Sequence, residues 1–304
     1  EKMKIQNPLD LKMDKPKYPI YVISKGRSDV CYTANFMLKD NVDFKIVIEP
    51  QEYDDYAKFY DEKLLMVTPF ANLGQGSIPV RNFVWEDSIE KGHEKHWCVD
   101  DNIHSVRYSW NGRRIKCNAN IGFNAVETFT DRYENIALSG MNYHFFVPPG
   151  TRKPFYQNCR VYSNLLIRND LDFRWRGRYN EDTDLCLQAL SKDWCTVLIN
   201  AFMIEKNATM SMKGGNATEL YVGDGRLRMA RDLQEQWPYV VEVKRVYGRP
   251  QHRIKFNWRH FDTPLKRRSD INWKKINKQK IKMKIVELDD IKSESLKRDV
   301  KKYK

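Results

Sequence analysis

Residues 96–103 read HWCVDDNI. Three apolar residues, Trp97, Cys98 and Val99, run directly into Asp100, Asp101 and Asn102. Ligands of α/β proteins bind at the carboxyl edge of the sheet, and a strand that stops in two carboxylates and an amide sets hard oxygen donors there. Such donors suit Mg²⁺ or Mn²⁺, ions that commonly arrive with phosphates. The run therefore reads as a metal–diphosphate site. The plainer alternative is a strand ending in a polar turn, where Asp and Asn are equally at home.

Other polar groups fall at neighbouring strand ends. Ser24-Lys25-Gly26-Arg27 leaves the first strand; Gly26 permits close backbone approach, and Lys25 and Arg27 can meet phosphate or base oxygens. Glu49 ends the second strand, where a carboxylate can accept hydrogen bonds from a nucleotide ribose or base. Arg81 lies on the helix before the fourth strand and either leans over a diphosphate or is a surface charge. A second acidic element, Glu181-Asp182-Thr183-Asp184, opens a helix after the basic aromatic run Phe173–Tyr179. Carboxylates in a first helical turn usually serve capping and the dipole. Downstream of a metal–diphosphate site they also suit a general base or an acceptor-positioning group, with Glu181 and Asp182 as candidates.

The pattern predicts a β/α alternation to position these groups. Strands are expected at residues 18–24, 44–48, 64–67 and in the run ending at Asp100. Helices are expected from a cap at Ser28 or Asp29 to about Lys39, over residues 51–62, and over residues 79–91 with Pro79 near the start. Strands and helices at this spacing imply an α/β fold with a doubly wound, mainly parallel sheet. Further on, residues 108–116 read as a hairpin about Asn111-Gly112. Residues 123–136 and 227–236 read as helices, and so does 180–191, with its acidic first turn. Residues 143–147, 161–167 and 197–204 read as strands, and residues 240–258 as a hairpin turning at Gly248-Arg249-Pro250. The boundaries expected are an arm at 1–17, one large domain at 18–262 with a donor half (18–107) and an acceptor half (108–262), and a basic tail at 263–304.

The chain has 304 residues, 41% of them hydrophobic, enough for a sizeable core. It contains no apolar run of the ~18–20 residues a membrane span needs. Six cysteines without C-x-x-C spacing argue against a zinc site and a disulfide framework, and fit a reducing cytoplasm. The net charge of +13 is unevenly spread. Residues 1–110 carry 15 Lys/Arg against 18 Asp/Glu, residues 111–265 carry 23 against 16, and residues 266–304 carry 15 against 6. A basic second half suits a polyanion such as nucleic acid. Trp258, Phe261 and Trp273, interleaved with basic residues, favour that reading over a merely solubilising tail.

The series YVISKGRSD, IVIEPQEYDDYAKF, GSIPVRNFVWE, HWCVDDNI and RYNEDTDLCLQAL resembles the phage TET/JBP-associated glycosyltransferases, over about residues 18–215. The resemblance implies a GT-A-like fold and a UDP-sugar donor carrying glucose or arabinose. It implies Mn²⁺ or Mg²⁺ at Asp100, Asp101 and Asn102, and double-stranded DNA containing a hydroxymethylated pyrimidine, 5-hydroxymethylcytosine, as acceptor. It places Ser24, Lys25, Arg27, Glu49 and Arg81 against the donor and Glu181 and Asp182 near the acceptor hydroxyl, in the cytoplasm of an infected bacterial host. The late metal-ligating His common in GT-A enzymes has no counterpart in the loop 210–216, where Lys213 could instead neutralise the leaving diphosphate; His252 and His260 come later. A carboxylate such as Asp182 would take the acceptor proton if configuration inverts, or steady an oxocarbenium-like centre if it is retained. Two other readings stay open: transfer to a glycan or protein, and a non-catalytic DNA-binding α/β module. A nucleotidyltransferase is disfavoured because no Gly-rich triphosphate signature follows the first strand.

Overall fold

The computed structural model describes residues 14–110, 113–149, 153–206, 224–246, 248–255 and 258–276. The chain begins with three β/α steps: β1 (Ile20–Ile23), α1 (Tyr32–Lys39), β2 (Lys45–Ile48), α2 (Tyr53–Ala57), β3 (Leu65–Val67) and α3 (Ile78–Glu90), leading to β4 (Lys95–Asp100). There follow β5 (Ile103–Trp110), β6 (Arg113–Cys117), α4 (Ala119–Thr130), β7 (Ile136–Tyr143), β8 (Phe155–Gln157) and β9 (Asn164–Arg168). The rest comprises α5 (Glu181–Leu190), β10 (Cys195–Lys206), α6 (Gly225–Gln236), the hairpin β11 (Val241–Val246) and β12 (Arg249–Ile254), and α7 (Trp273–Ile276).

Ten strands form one sheet in the order β3-β2-β1-β4-β9-β7-β10-β5-β6, with β8 added to β10. The first four strands are parallel. Beyond β4 the pairing is mixed, with β9 antiparallel to both β4 and β7 and β10 parallel to β7. Helices cover both faces. On one, Ala34 and Met37 of α1 and Phe123 and Val126 of α4 pack on the sheet; on the other, Trp85 of α3 and Leu185, Cys186 and Ala189 of α5 do so. This is the expected α/β, GT-A-like doubly wound architecture. Strands β1, β2 and β4 are almost wholly buried because both of their faces are covered, which is why they read as continuous apolar runs.

Several boundaries differ from expectation. The helix expected from Ser28 starts at Tyr32, after Cys31 with no side-chain cap. Residues 51–62 hold only a 3₁₀ turn and the five-residue α2. The helix expected at 123–136 is α4, capped by Asn118, whose side chain accepts from Asn120 N; Ile136 already belongs to β7. Residues 144–146 are a 3₁₀ turn, because the strand is the preceding run IALSGMNY. The tip residues Asn111 and Gly112 and the 210–216 loop, Lys213 included, lie outside the described residues.

The aromatic residues expected to face nucleic acid are structural instead. Trp258 and Phe261 are half-buried against the cluster of Leu187, Leu233, Val241 and Ile254. Trp273 packs edge-on against Tyr133, lies under Arg267 and donates Nε1–H to Arg268 O. The first part of the segment expected as a tail runs along the domain. Asn135 donates to Pro264 O and accepts from Lys266 N, and Glu134 N donates to Lys266 O.

Strands β7 and β9 approach closely at Gly140. A Cβ there would lie 2.1 Å from Asn164 O and 2.8 Å from Val161 Cγ1. Asn164 fills the interrupted ladder with its side chain, accepting from Met141 N at 2.7 Å and donating to Met141 O at 2.9 Å. Gly140→Ala must push backbone against backbone, so urea unfolding of the variant is expected to show a loss of about 2 kcal/mol or more; unchanged stability would mean that the two strands can part freely.

Candidate functional site

The strand order turns at β1, which has β2 on one side and β4 on the other. That reversal opens a crevice at the carboxyl ends of β1 and β4, the usual ligand position in such sheets. A cleft of about 250 Å³ occupies it. Its walls bring together every expected site residue among the described ones: Ser24, Lys25, Arg27, Glu49, Arg81, Asp100, Asp101, Asn102, Glu181 and Asp182. Ser24 to Arg27, Glu49, and Asp100 to Asn102 come from the ends of β1, β2 and β4 and the loops after them, Arg81 from the first turn of α3, and Glu181 and Asp182 from the first turn of α5.

Asp100 is the centre of the charge network. Its Oδ1 accepts from Arg81 Nη2 at 3.2 Å and its Oδ2 from Lys206 Nζ at 2.6 Å. Burial by itself would raise its pKa, but the charges of Lys206 and Arg81 overcome this and hold it down at about 2. Arg81 is no surface charge. Buried under 10% exposure, it donates Nε–H to Ser77 Oγ, reaches Cys98 Sγ, approaches Glu181 Oε1 at 3.4 Å and lies over the Trp175 ring. Lys206 ends β10, where the pairing with β5 slips by one residue, so that Lys206 faces Ile103 and not His104. Its ammonium also donates to Ser163 Oγ at 2.7 Å, and that hydroxyl pairs with Tyr143 Oη at 2.6 Å.

Asp101 serves differently from its neighbour. Its side chain is turned inward, ion-paired with Arg27 and accepting from Ser24 Oγ at 2.8 Å; Ser24 in turn meets Tyr56 Oη at 2.6 Å. Burial raises its pKa despite Arg27 and Ser24. The triad Ser24–Asp101–Arg27 thus fastens the loop after β1 to the end of β4. Lys25 reaches Glu49 at 3.3 Å. Burial would raise the Glu49 pKa, but hydrogen bonds from Gln51 Nε2 and Asn72 N, with the Lys25 charge, bring it below the usual carboxylate range.

The donor set does not fit a resident divalent cation. Both oxygens of Asp100 are held by cations of the protein, and those of Asp101 by Arg27 and Ser24. Asn102 adds one buried amide oxygen without a hydrogen-bond partner among the described residues. Among those residues no three His, Cys, Asp or Glu side chains converge as a metal centre. An ion at Asp100 would have to displace an ammonium while lying beside a guanidinium, with too few hard oxygens in return.

At the opposite wall the two acidic residues of α5 have unlike surroundings. Asp182 is clamped by Arg160, whose Nη2 lies 2.9 Å from Oδ1 and 2.7 Å from Oδ2, and it also accepts from Thr183 N at 2.7 Å. Glu181 has looser contacts, with Ser77 Oγ at 3.3 Å and Arg81 at 3.4 Å. Burial and the neighbouring Asp182 raise its pKa against the pull of Arg81. Asn180, in the left-handed region at φ 53°, ties the start of α5 to α6 by donating to Met229 O. His252 on β12 lies behind this turn, 3.4 Å from Thr183 Oγ1, and burial drops its pKa to about 4; it is a neutral backing group outside the cleft lining. Lys206, Arg160, Ser163, Tyr143 and Tyr179 also line the cleft and were not anticipated. Arg160 lies 22 residues before its partner Asp182, and Lys206 meets Asp100 across 106 residues, so neither pairing shows in local sequence.

Because the Arg27–Asp101 pair is nearly inaccessible, with 11% and 5% side-chain exposure, Asp101→Ala is expected to cost about 3 kcal/mol of stability, measured by urea unfolding. A variant of native stability would deny Asp101 its fastening role.

No curated protein matches the chain. Residues 18–215 match the family TET-Associated Glycosyltransferase, a span that contains β1 through β10 and, among the described residues, all of the cationic and acidic groups just placed around the cleft. By that match the chain belongs to the TET-Associated Glycosyltransferase family.

Proposed function

We propose that this glycosyltransferase moves a sugar from a UDP-sugar to the hydroxymethyl oxygen of 5-hydroxymethylcytosine in DNA. The observation that carries the reading is the charge of the cleft. Lys25, Arg27, Arg81, Arg160, Arg178 and Lys206 line it against Glu49, Asp100, Asp101, Glu181 and Asp182, so the walls hold one more cation than anion and favour an anionic guest. The nucleoside would lie along the loop after β1 and Glu49, with the diphosphate toward Asp100, Arg81 and Lys206.

The rim supports a DNA acceptor. Phe145 and Phe146 are 49% and 56% exposed, with ring centroids 5.5 and 5.7 Å from that of the cleft residue Tyr143. Flat exposed rings suit a base drawn out of its stack. The adjoining hairpin carries exposed Arg113 and Lys116 for phosphates, and Arg114 donates to His144 O to fix its position beside the aromatic turn.

Glu181 is the better placed base. Asp182 has both oxygens engaged by the Arg160 guanidinium, whereas Glu181 is buried, has looser contacts and a raised proton affinity. Asp182 with Arg160 then acts to shape the acceptor wall. A base works when unprotonated, so raising its pKa moves the acid limb of the kcat/KM profile upward, to a pH above the ordinary Glu range near 4.5. Glu181→Gln is expected to lower kcat/KM by about 10²–10⁴-fold and to abolish that limb; a full-rate variant with an unchanged profile would remove Glu181 from this role.

The direct test incubates the protein with hydroxymethylcytosine DNA and a panel of UDP-sugars, followed by mass spectrometry of the digested nucleosides. A hexose or pentose increment on hydroxymethylcytidine is the expected result. Transfer to glycan or protein acceptors, with the DNA nucleosides unchanged, would overturn the acceptor assignment.

A further inference from the structure

The carboxylate at the end of β4 is overcompensated. A carboxylate held for structure alone needs one cationic partner, yet Asp100, a quarter exposed in its side chain, has two, Arg81 at 3.2 Å and Lys206 at 2.6 Å, from a helix and a strand. Burying an additional charge is costly unless something repays it. Lys206 is only 7% exposed in its side chain, yet it lines the cleft. The pairing slips just before it, with His104 of β5 left over, and Ser163, backed by Tyr143, holds the ammonium in place. Charge fixed in this way needs no reorganisation when negative charge develops beside it.

We infer that Lys206, backed by Arg81, neutralises the departing diphosphate in this chain and fills the place that a divalent cation would otherwise take. The inference rests on the UDP-sugar reading proposed above. In the transfer step the bond between the anomeric carbon and the β-phosphate oxygen breaks, and its electron pair stays on that oxygen, facing Lys206. The hydroxymethyl oxygen forms the new bond to the anomeric carbon, and its proton passes to Glu181. Asp100 becomes the group that aims Lys206.

The test compares UDP with UMP, which differ by the β-phosphate, in calorimetric titrations of the full chain. In EDTA the wild-type protein is expected to bind UDP tenfold or more tightly than UMP, and added Mn²⁺ should change the UDP affinity less than threefold. Lys206→Met should shrink the UDP preference to within threefold while leaving UMP affinity near wild type, and Lys206→Arg should keep most of the preference. Thermal melts check that the variants are folded; should Lys206→Met unfold, the wild-type titrations and Lys206→Arg decide. A UDP preference that appears only with Mn²⁺, or one that survives Lys206→Met intact, overturns the inference and leaves the donor assignment standing. Failure of both nucleotides to bind with or without Mn²⁺ overturns the donor assignment, and this inference with it.

Discussion

Asp100 remains ionised at the cleft wall because cations from two separate elements hold its two oxygens. Much of the surrounding structure serves that arrangement. Helix α3 must place Arg81 one turn inside its start, where Ser77, Cys98 and Trp175 fix the guanidinium. Strand β10 must slip its register to present Lys206. The tight crossing at Gly140 seats Asn164 against β7, and its neighbour Ser163 accepts from that lysine. Remove Asp100, and two buried cations would lose their shared counter-charge, a larger penalty than the loss of one surface ion pair.

The same sheet edge separates the work of neighbouring carboxylates by environment. Asp100 and Asp101 are adjacent in sequence, but Asp100 closes β4 and Asp101 opens the turn after it, and their side chains enter different surroundings. One faces the cleft between two cations; the other turns into the loop after β1 and fastens it. Glu181 and Asp182 repeat the pattern at the start of α5. Asp182 is held bidentately by Arg160, while Glu181 keeps a raised proton affinity. Two adjacent carboxylates with such unlike partners are a recurring sign of divided duties.

Much of this arrangement was legible in the sequence because it is local. Apolar runs that end in Ser24, Glu49 and Asp100 are strand ends, and a β/α alternation takes such ends to one edge of a sheet. The acidic start of α5 is similarly local. What escaped notice is non-local. Lys206 meets Asp100 across 106 positions of chain through a slipped pairing that no periodicity encodes. The roles of Asp100 and Asp101 could not be told apart before Arg27 and Ser24 were placed. The run YHFFV has the composition of a strand, yet it is a turn with two exposed rings, because β propensity reports fit to a pleated surface and not the position of the chain end. Trp258, Phe261 and Trp273 show the converse: aromatics among basic residues that are used for packing.

The parallel and the mixed parts of the sheet meet at Asp100. The carboxylate belongs to β4 in the parallel half; Lys206 belongs to β10, Ser163 to the turn before β9, and Glu181 to α5 in the mixed half. The antiparallel pairing of β9 with β4 joins the halves, and the hydrogen bond from Asp100 N to Ser163 O lies at that seam. The two halves are therefore strands of one sheet, and the charged groups that span the cleft are fixed relative to one another by backbone hydrogen bonds. Preorganisation of this kind suits a reaction whose main demand on the protein is to meet developing charge at a fixed point. The aromatic turn after β7, with Phe145 and Phe146 exposed, lies beside the cleft residue Tyr143 and outside that seam.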